Sequence, residues 1–101
     1  MQLLYMGFEQ VQNVREYMFH GVEHGQPTLV FVVSTDLALF RRNNVNMQEG
    51  PALCLRLLTV ELPAAATAAQ PLRRTVTDHD MLAYLIARAA PLAKKHALRH
   101  A

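Results

Sequence analysis

The side chains best suited to chemistry in this 101-residue chain are one cysteine and five histidines. Cys54 lies in the apolar run Ala-Leu-Cys-Leu, where burial raises the thiol pKa and makes the group inert. His20 and His24 flank a predicted turn, and His96 and His100 have the i, i+4 spacing of one helical face. Two imidazoles are fewer than the three or four ligands of a zinc site. We therefore expect no metal and no cofactor.

The sequence patterns of the commoner enzyme classes are absent. The chain has no glycine-rich phosphate loop, no Ser-His-Asp arrangement, no paired carboxylates and no dinucleotide fingerprint. Ser34, Thr35 and Asp36 follow an apolar strand, and a helix start at that point attracts anions. The same residue types are the usual helix caps, and no glycine lies between residues 26 and 49. Capping is the interpretation that we adopt, and the sequence predicts no catalytic residue and no enzyme.

The charge pattern is unbalanced towards a basic C-terminal third. Residues 1–70 carry four arginines against six acidic residues, a net −2, and residues 71–101 carry six basic against two acidic residues, a net +4. Basic side chains favour association with polyanions. The alternative is a solvated helix end, and only Tyr84 offers a ring to stack on a base in this part of the chain. The candidate polyanion contacts are Arg73, Arg74, Arg88, Lys94, Lys95 and Arg99.

Length and composition indicate one domain, residues 1–101. The chain is 51% apolar and 18% charged, which favours a folded core over disorder. A single cysteine excludes an internal disulfide. No apolar run reaches the ~18–20 residues of a membrane-spanning helix, and the apolar residues 3–6 are too short for a signal peptide. We expect a cytoplasmic protein with no membrane partner.

Two neighbouring segments have the pattern of a β-hairpin. Residues 13–22 alternate, with Arg15, Tyr17 and Phe19 on one side. Gly25 supplies the positive φ of a turn, and residues 28–33 are almost wholly apolar and β-branched, as in a strand covered on both faces.

Helical patterns follow the predicted hairpin. Residues 36–43 begin at the caps Ser34 and Thr35 and end at asparagines that tolerate the left-handed conformation. Residues 50–60 begin near Pro51, but residues 58–62 fit a strand as well as a helix.

The last forty residues are predicted to hold a loop, a short strand, a helix and a tail. Residues 63–71 form an alanine- and proline-rich loop, and 72–76 a short strand. Thr77 and Asp80 cap a helix over 78–90, which Pro91 stops or kinks. Its predicted apolar stripe is Met81, Leu82, Leu85, Ile86 and Ala89. Residues 92–101 are predicted to be a mobile basic tail.

The predicted fold class is α+β. A small antiparallel sheet built on the hairpin, 13–22 and 28–33, is packed by two to three helices at 36–43, 50–60 and 78–90. Because helices cover one face of the sheet, we expect a second copy of the chain to close the other, which makes the protein a homodimer.

The order of these pieces resembles a known family. Tyr-Met-Phe-His-Gly at 17–21, the apolar strand at 29–33 and Ser-Thr-Asp-Leu-Ala-Leu-Phe at 34–40 are followed by Gln48-Glu49, Ala52-Leu53 and a helix that starts at Thr77. The pattern is similar to a family of short bacterial proteins classed as a domain of unknown function. The resemblance implies the fold, a bacterial cytoplasmic origin and a non-enzymatic role, and it carries no site residue. We expect a binding or adaptor module with a protein partner; the alternative is a nucleic-acid-associating protein that uses the basic third.

Overall fold

The structure is a computed structural model that describes residues 1–61 and 72–99, with the side chains of residues 1–60 and 72–89. Its elements follow the chain in the order strand, strand, strand, helix, helix, strand, helix. They are β1 (Gln2–Val11), β2 (Val14–Val22), β3 (Leu29–Asp36), α1 (Leu37–Arg42), α2 (Gly50–Glu61), β4 (Leu72–Thr75) and α3 (Asp78–Arg99). A single 3-10 turn, Met47–Glu49, precedes α2. The α+β class is confirmed, and the predicted loop at 63–71 lies outside the described residues.

The four strands form one mixed sheet in the order β1-β2-β3-β4. The first three run antiparallel as a meander, and β2 and β3 are the predicted hairpin, with Gly25 in its turn at φ 76°. β4 lies parallel to β3, with Phe31 beside Leu72. A parallel neighbour requires a long crossover, and α1 and α2 lie within it. The sheet is therefore mixed where the sequence predicted an antiparallel one.

β1 is the element that sequence analysis missed. Its ten residues pair with the whole length of β2, from Gln2 opposite Val22 to Val11 opposite Val14. The alternation of β1 is broken by a bulge at Met6, where the register shifts between Tyr5 and Gly7. A bulge adds one residue to a strand. Residues that face the helices are therefore odd-numbered before the bulge and even-numbered after it, and no single alternation describes the whole of β1.

The first helix begins at a side-chain cap. Asp36, not the predicted Ser34 or Thr35, caps α1, and its Oδ1 accepts a hydrogen bond from the Ala38 amide at 2.9 Å. The prediction was wrong by one or two residues because β3 continues to Asp36, which places Thr35 in the buried face of the sheet. Residues 58–61, for which the sequence left helix and strand open, are helical and belong to α2.

The hydrophobic core lies between one face of the sheet and the helices. Tyr17 and Phe19 of β2 and Phe31 and Val33 of β3 are 0–1% exposed. They belong to one buried cluster with residues of the three helices and the segments beside them: Leu37, Leu39, Phe40, Val45, Leu53, Cys54, Leu58, Val76 and Met81. The other face of the sheet carries partly exposed residues such as Val30 and Leu4. Among the described residues, the structure is thus two layers with one sheet face uncovered.

The buried face of α3 differs from the predicted stripe. Met81 is fully buried and Leu85 packs on the core, but Leu82 and Ile86 are 55% and 61% exposed. Asp80, which is not part of the predicted stripe, is buried, and its carboxylate binds Arg74. Relative to the predicted stripe, α3 is rotated so that Asp80, bound to Arg74, faces inwards and Leu82 and Ile86 face outwards.

The predicted end of the last helix is also wrong. The helical backbone continues through Pro91 to Arg99, well beyond residue 90. Residues 100 and 101 of the predicted tail, and the side chains of residues 90–99, lie outside the described part of the chain. The predicted Thr77–Asp80 cap is confirmed, since each backbone amide donates to the other side chain, at 2.8 and 3.2 Å.

Candidate functional site

The helices leave part of the inner sheet face open beside β1, and this opening is the candidate site. In the sheet register, Tyr5 lies opposite Phe19 and Phe8 opposite Tyr17. Directly opposed residues share a face, so the bulge at Met6 is what puts the rings of Tyr5 and Phe8 on the same side. A regular strand would place them on opposite faces, because they are three residues apart.

The opening is a groove of about 400 Å³. One wall is the sheet, and the other is the start of α2 and the turn before it. We call it the aromatic groove, and it is lined by Tyr5, Phe8, Arg15, Tyr17, Met47, Gln48 and Pro51.

Its aromatic rings form a continuous cluster. The ring centroid of Tyr5 is 5.3 Å from that of Phe19 and 6.3 Å from that of Tyr17, and the Phe8 and Tyr17 centroids are 6.0 Å apart. These spacings and the tilted planes are typical of favourable ring contacts. Tyr5 and Phe8 are nevertheless 43% and 48% exposed, so the cluster presents apolar ring surface to the solvent.

One cation lies in the aromatic groove. The guanidinium carbon of Arg15 is 3.9 Å from the Phe8 ring centroid, within cation–π distance. Arg15 Nε and Nη2 donate to Gln10 Oε1 at 3.1 and 2.8 Å, which holds the guanidinium over the ring. Within the described part of the chain Arg15 forms no salt bridge, so its guanidinium has no carboxylate partner there.

The floor of the groove contains a polar atom without a partner. Tyr17 is 0% exposed, and its hydroxyl has no hydrogen-bond partner among the described residues. The hydroxyl lies against Gly50, where a Cβ would overlap it. Burial raises the pKa of Tyr17, and the nearby Arg15 guanidinium partly opposes this rise although it makes no hydrogen bond of ordinary geometry with the hydroxyl. The hydroxyl is thus a fixed part of the packing at the start of α2 and supplies no acid or base to the groove.

The described basic candidates for polyanion contacts each have a carboxylate neighbour. Arg73 pairs with Glu16 at 3.3 Å, and Arg74 binds Asp80 through two contacts of 2.7 and 2.9 Å.

The third described candidate also belongs to a polar cluster. Arg88 pairs with Glu49, which accepts a second hydrogen bond from the Tyr84 hydroxyl at 3.0 Å. Hydrogen bonds from Arg88 and Tyr84 lower the pKa of Glu49. The side chains of Lys94, Lys95 and Arg99 lie outside the described part, so the six predicted contacts are not brought together as one observed patch.

A second groove of about 410 Å³ separates α2 from α3. Its polar members are Arg56, His79 and the Arg74–Asp80 pair, and its walls include Leu53, Leu57 and Tyr84. Hydrogen bonding to Arg74 lowers the pKa of Asp80, which keeps this carboxylate ionised and bound to the guanidinium.

The candidates for metal and nucleophilic chemistry lie apart. No group of three histidine, cysteine or acidic side chains with metal-binding geometry occurs among the described residues. His20 is on the uncovered sheet face and His24 is in the β2–β3 turn. Cys54 is buried as predicted, and burial raises its pKa to about 12, so at neutral pH it is a thiol and not a nucleophile.

The alternation of β2 predicts Arg15, Tyr17 and Phe19 on one face, but nothing in the sequence assigns them a role. Tyr5 and Phe8 were missed together with β1. The available signal was the apolar run before the Gln12-Asn13 turn, where Gln12 adopts a φ of 54°. In the ranges 1–61 and 72–99, no helix is long and apolar enough to cross a membrane.

Comparison of the chain with protein-family profiles, with curated proteins and with solved structures finds no match. The resemblance to a family of unknown function therefore stays a hypothesis.

Proposed function

We propose that this protein is a small non-enzymatic binding module whose partner is a polypeptide held in the aromatic groove. The observation that supports this most directly is the exposed ring surface of Tyr5 and Phe8 beside the guanidinium of Arg15. Aromatic side chains and arginine are the residues that contribute most to protein–protein binding. A mostly apolar groove with one fixed charge matches the usual composition of a binding site.

The chemistry of the groove specifies the partner. Its rings favour an apolar or aromatic side chain, and Arg15 favours a carboxylate next to that side chain, because a guanidinium binds carboxylates through paired hydrogen bonds. We therefore propose an extended acidic peptide segment with an apolar anchor. The homodimer and the bacterial, cytoplasmic origin are parts of the same proposal, and a buried free thiol is compatible with a reducing compartment.

The alternative of nucleic-acid association has less support from the described contacts. A phosphate would have to displace Glu16, Asp80 or Glu49 from the three described arginines. Phosphate contacts make affinity fall steeply with salt. If four to six of the basic residues bound phosphates, a fourfold rise in salt would weaken binding by roughly two to three decades. Fluorescence polarisation with labelled single-stranded RNA and duplex DNA at low salt tests this alternative.

The binding proposal is tested with a displayed library of random dodecapeptides selected on the pure protein. We expect selected peptides to combine an aromatic or large aliphatic residue with Asp or Glu. Calorimetry then compares the wild type with Arg15→Gln and Phe8→Ala, each of which should weaken the best peptide at least tenfold. Arg56→Gln, which removes the same charge from the other groove, is the matched control and should leave affinity unchanged. Equal affinity for wild type and Arg15→Gln would refute the proposed site.

A further inference from the structure

The two edges of the sheet differ in how well they are protected against pairing with another strand. β4 is four residues long and carries Arg73 and Arg74, which is how natural proteins protect an edge. β1 is ten residues long, and Glu9 is its single charged residue. Among the described residues, no strand pairs with the outer edge of β1. Five of its apolar side chains are 40–71% exposed: Leu4, Tyr5, Met6, Phe8 and Val11.

The bulge in the middle of β1 makes this edge complementary to itself. Before the bulge Leu3 and Tyr5 face the helices, and after it Phe8 and Gln10 do, since they lie opposite the inward residues of β2. In a symmetric antiparallel pair of strands, opposed residues must share a face. A regular ten-residue strand in full overlap would oppose residues of different faces. With the bulge between Tyr5 and Gly7, full overlap opposes residues of the same face.

We propose, building on the binding function above, that β1 pairs antiparallel with β1 of a second copy of this chain over its full length. The two-fold axis passes between Met6 and Gly7. Tyr5 of one copy lies opposite Phe8 of the other on the helix side, and Leu4 lies opposite Glu9 on the open side. The result is a continuous eight-stranded sheet. This arrangement differs from the face-to-face dimer expected from the sequence.

Charge and area are compatible with this pairing. Full overlap keeps the two Glu9 carboxylates apart, whereas pairing centred on Glu9 would oppose them. The five exposed side chains leave roughly 400 Å² of apolar surface per copy, given ~150–250 Å² for each large side chain. A standard interface buries about 800 Å² per partner, a little over half of it apolar. The exposed apolar surface of β1 is therefore comparable with the apolar part of a standard interface, and the share of it on Tyr5 and Phe8 also lines the aromatic groove.

The pairing also completes the aromatic groove. Because the two-fold axis is perpendicular to the sheet, the helices of both copies lie on the same side. The open ends of the two grooves then meet at the axis, and Tyr5 and Phe8 of each copy border the other groove. A peptide bound there would contact both copies.

Disulfide trapping of the pure protein tests the register. In a Cys54→Ala background, Leu4→Cys and Glu9→Cys are made as separate chains and mixed under mild oxidation. Opposed positions meet the geometric limits of a disulfide, so the mixture should give a covalent dimer. Each variant alone should not, because identical positions lie four steps of the ladder apart once the bulge is counted, about 14 Å along the strands. Trapping of Val30→Cys alone, on the open sheet face, without trapping of the mixture would overturn the pairing in favour of a face-to-face dimer.

Sedimentation equilibrium supplies an independent measurement with a matched pair of variants. Met6→Lys places two like charges beside the axis and should raise the dimer dissociation constant at least tenfold. Val11→Lys makes the same charge change at the strand end and should raise it less than threefold. Circular dichroism confirms that both variants fold. A wild-type monomer at 100 µM would overturn the pairing, and if that monomer still binds the selected peptide, the binding function stands. A trapped dimer that binds no peptide would support the β1 pairing and overturn the binding function.

Discussion

Gly50 and Tyr17 provide the sharpest test of how the inner face of the sheet is packed. Gly50 begins α2 with φ −52° and ψ −52°, an ordinary helical conformation. Backbone propensity alone predicts that Gly50→Ala stabilises the protein by about 0.5–1 kcal/mol. The tertiary structure predicts the opposite, because a Cβ at this position would overlap the hydroxyl oxygen and Cζ of Tyr17 and lie 3.0 Å from Cε1.

The steric term should exceed the propensity term. Tyr17 is fully buried and held by the rings of Tyr5 and Phe8, so it cannot move aside without disturbing the core. Overpacking of this kind costs about 1–3 kcal/mol, and contact with a fixed ring puts Gly50→Ala at the upper end of that range. After subtraction of the helix-propensity gain, we expect a net loss of about 2 kcal/mol in unfolding free energy, or roughly 10 °C in Tm.

Tyr17→Phe is the complementary variant. It removes a buried hydroxyl that has no partner among the described residues, and such an atom costs about 1–3 kcal/mol. Tyr17→Phe should therefore raise stability by about 1 kcal/mol. It should also reduce the cost of Gly50→Ala by at least 1 kcal/mol, because the oxygen that overlaps the new methyl group is gone.

Urea unfolding followed by circular dichroism at one protein concentration measures all four members of this cycle. Gly25→Ala is the control, since Gly25 has φ 76° and nothing within 4 Å of a Cβ. Its cost, about 1 kcal/mol of backbone strain, should be unchanged by Tyr17→Phe. A Gly50→Ala variant as stable as the wild type would refute the packing described for the start of α2.

Three further predictions concern residues of α2 and α3. Asp80→Asn should cost about 1.5–3 kcal/mol, because it removes the charge from two hydrogen bonds that Arg74 donates to the Asp80 carboxylate. Because the pKa of Asp80 is lowered in the folded state, ionised Asp80 stabilises the fold above the ordinary carboxyl pKa, and this stabilisation is lost as the pH falls below about 4. The free energy of unfolding should therefore fall less steeply with acid in Asp80→Asn than in the wild type. An equally steep fall in both would contradict the pairing. Met81→Ala should cost about 2–5 kcal/mol and Leu82→Ala less than about 0.5 kcal/mol, as measured by urea unfolding, whereas the stripe predicted from sequence requires similar losses. Cys54 should react with a thiol reagent at pH 8 only at the rate of unfolding, and rapid labelling of the native protein would show that the thiol is accessible.

The candidate site was predictable only in part. The alternation of β2 already put Arg15, Tyr17 and Phe19 on one face, because a strand has a period of two. Tyr5 and Phe8 were not predictable as groove residues, because the bulge at Met6 breaks the period of β1 and no local signal marks where an extra residue is accommodated.

The sequence by itself determined those features that depend on short-range interactions. The β2–β3 hairpin, the positive φ at Gly25, the Thr77–Asp80 cap and the burial of Cys54 each depend on residues close in the chain or on simple apolar context. These signals also predicted the α+β class, because they determine the type of each element and its approximate bounds.

Only the tertiary structure decided which surfaces of those elements face each other. The inward face of α3 depends on Arg74, six residues from Asp80, and on Glu49, which lies 35 residues from Tyr84. The parallel position of β4 depends on its long-range register with β3. The Tyr84–Glu49 contact and the pairing of Phe31 with Leu72 join residues too distant in the chain for a sequence pattern to record them, and tertiary contacts of this kind override local propensity.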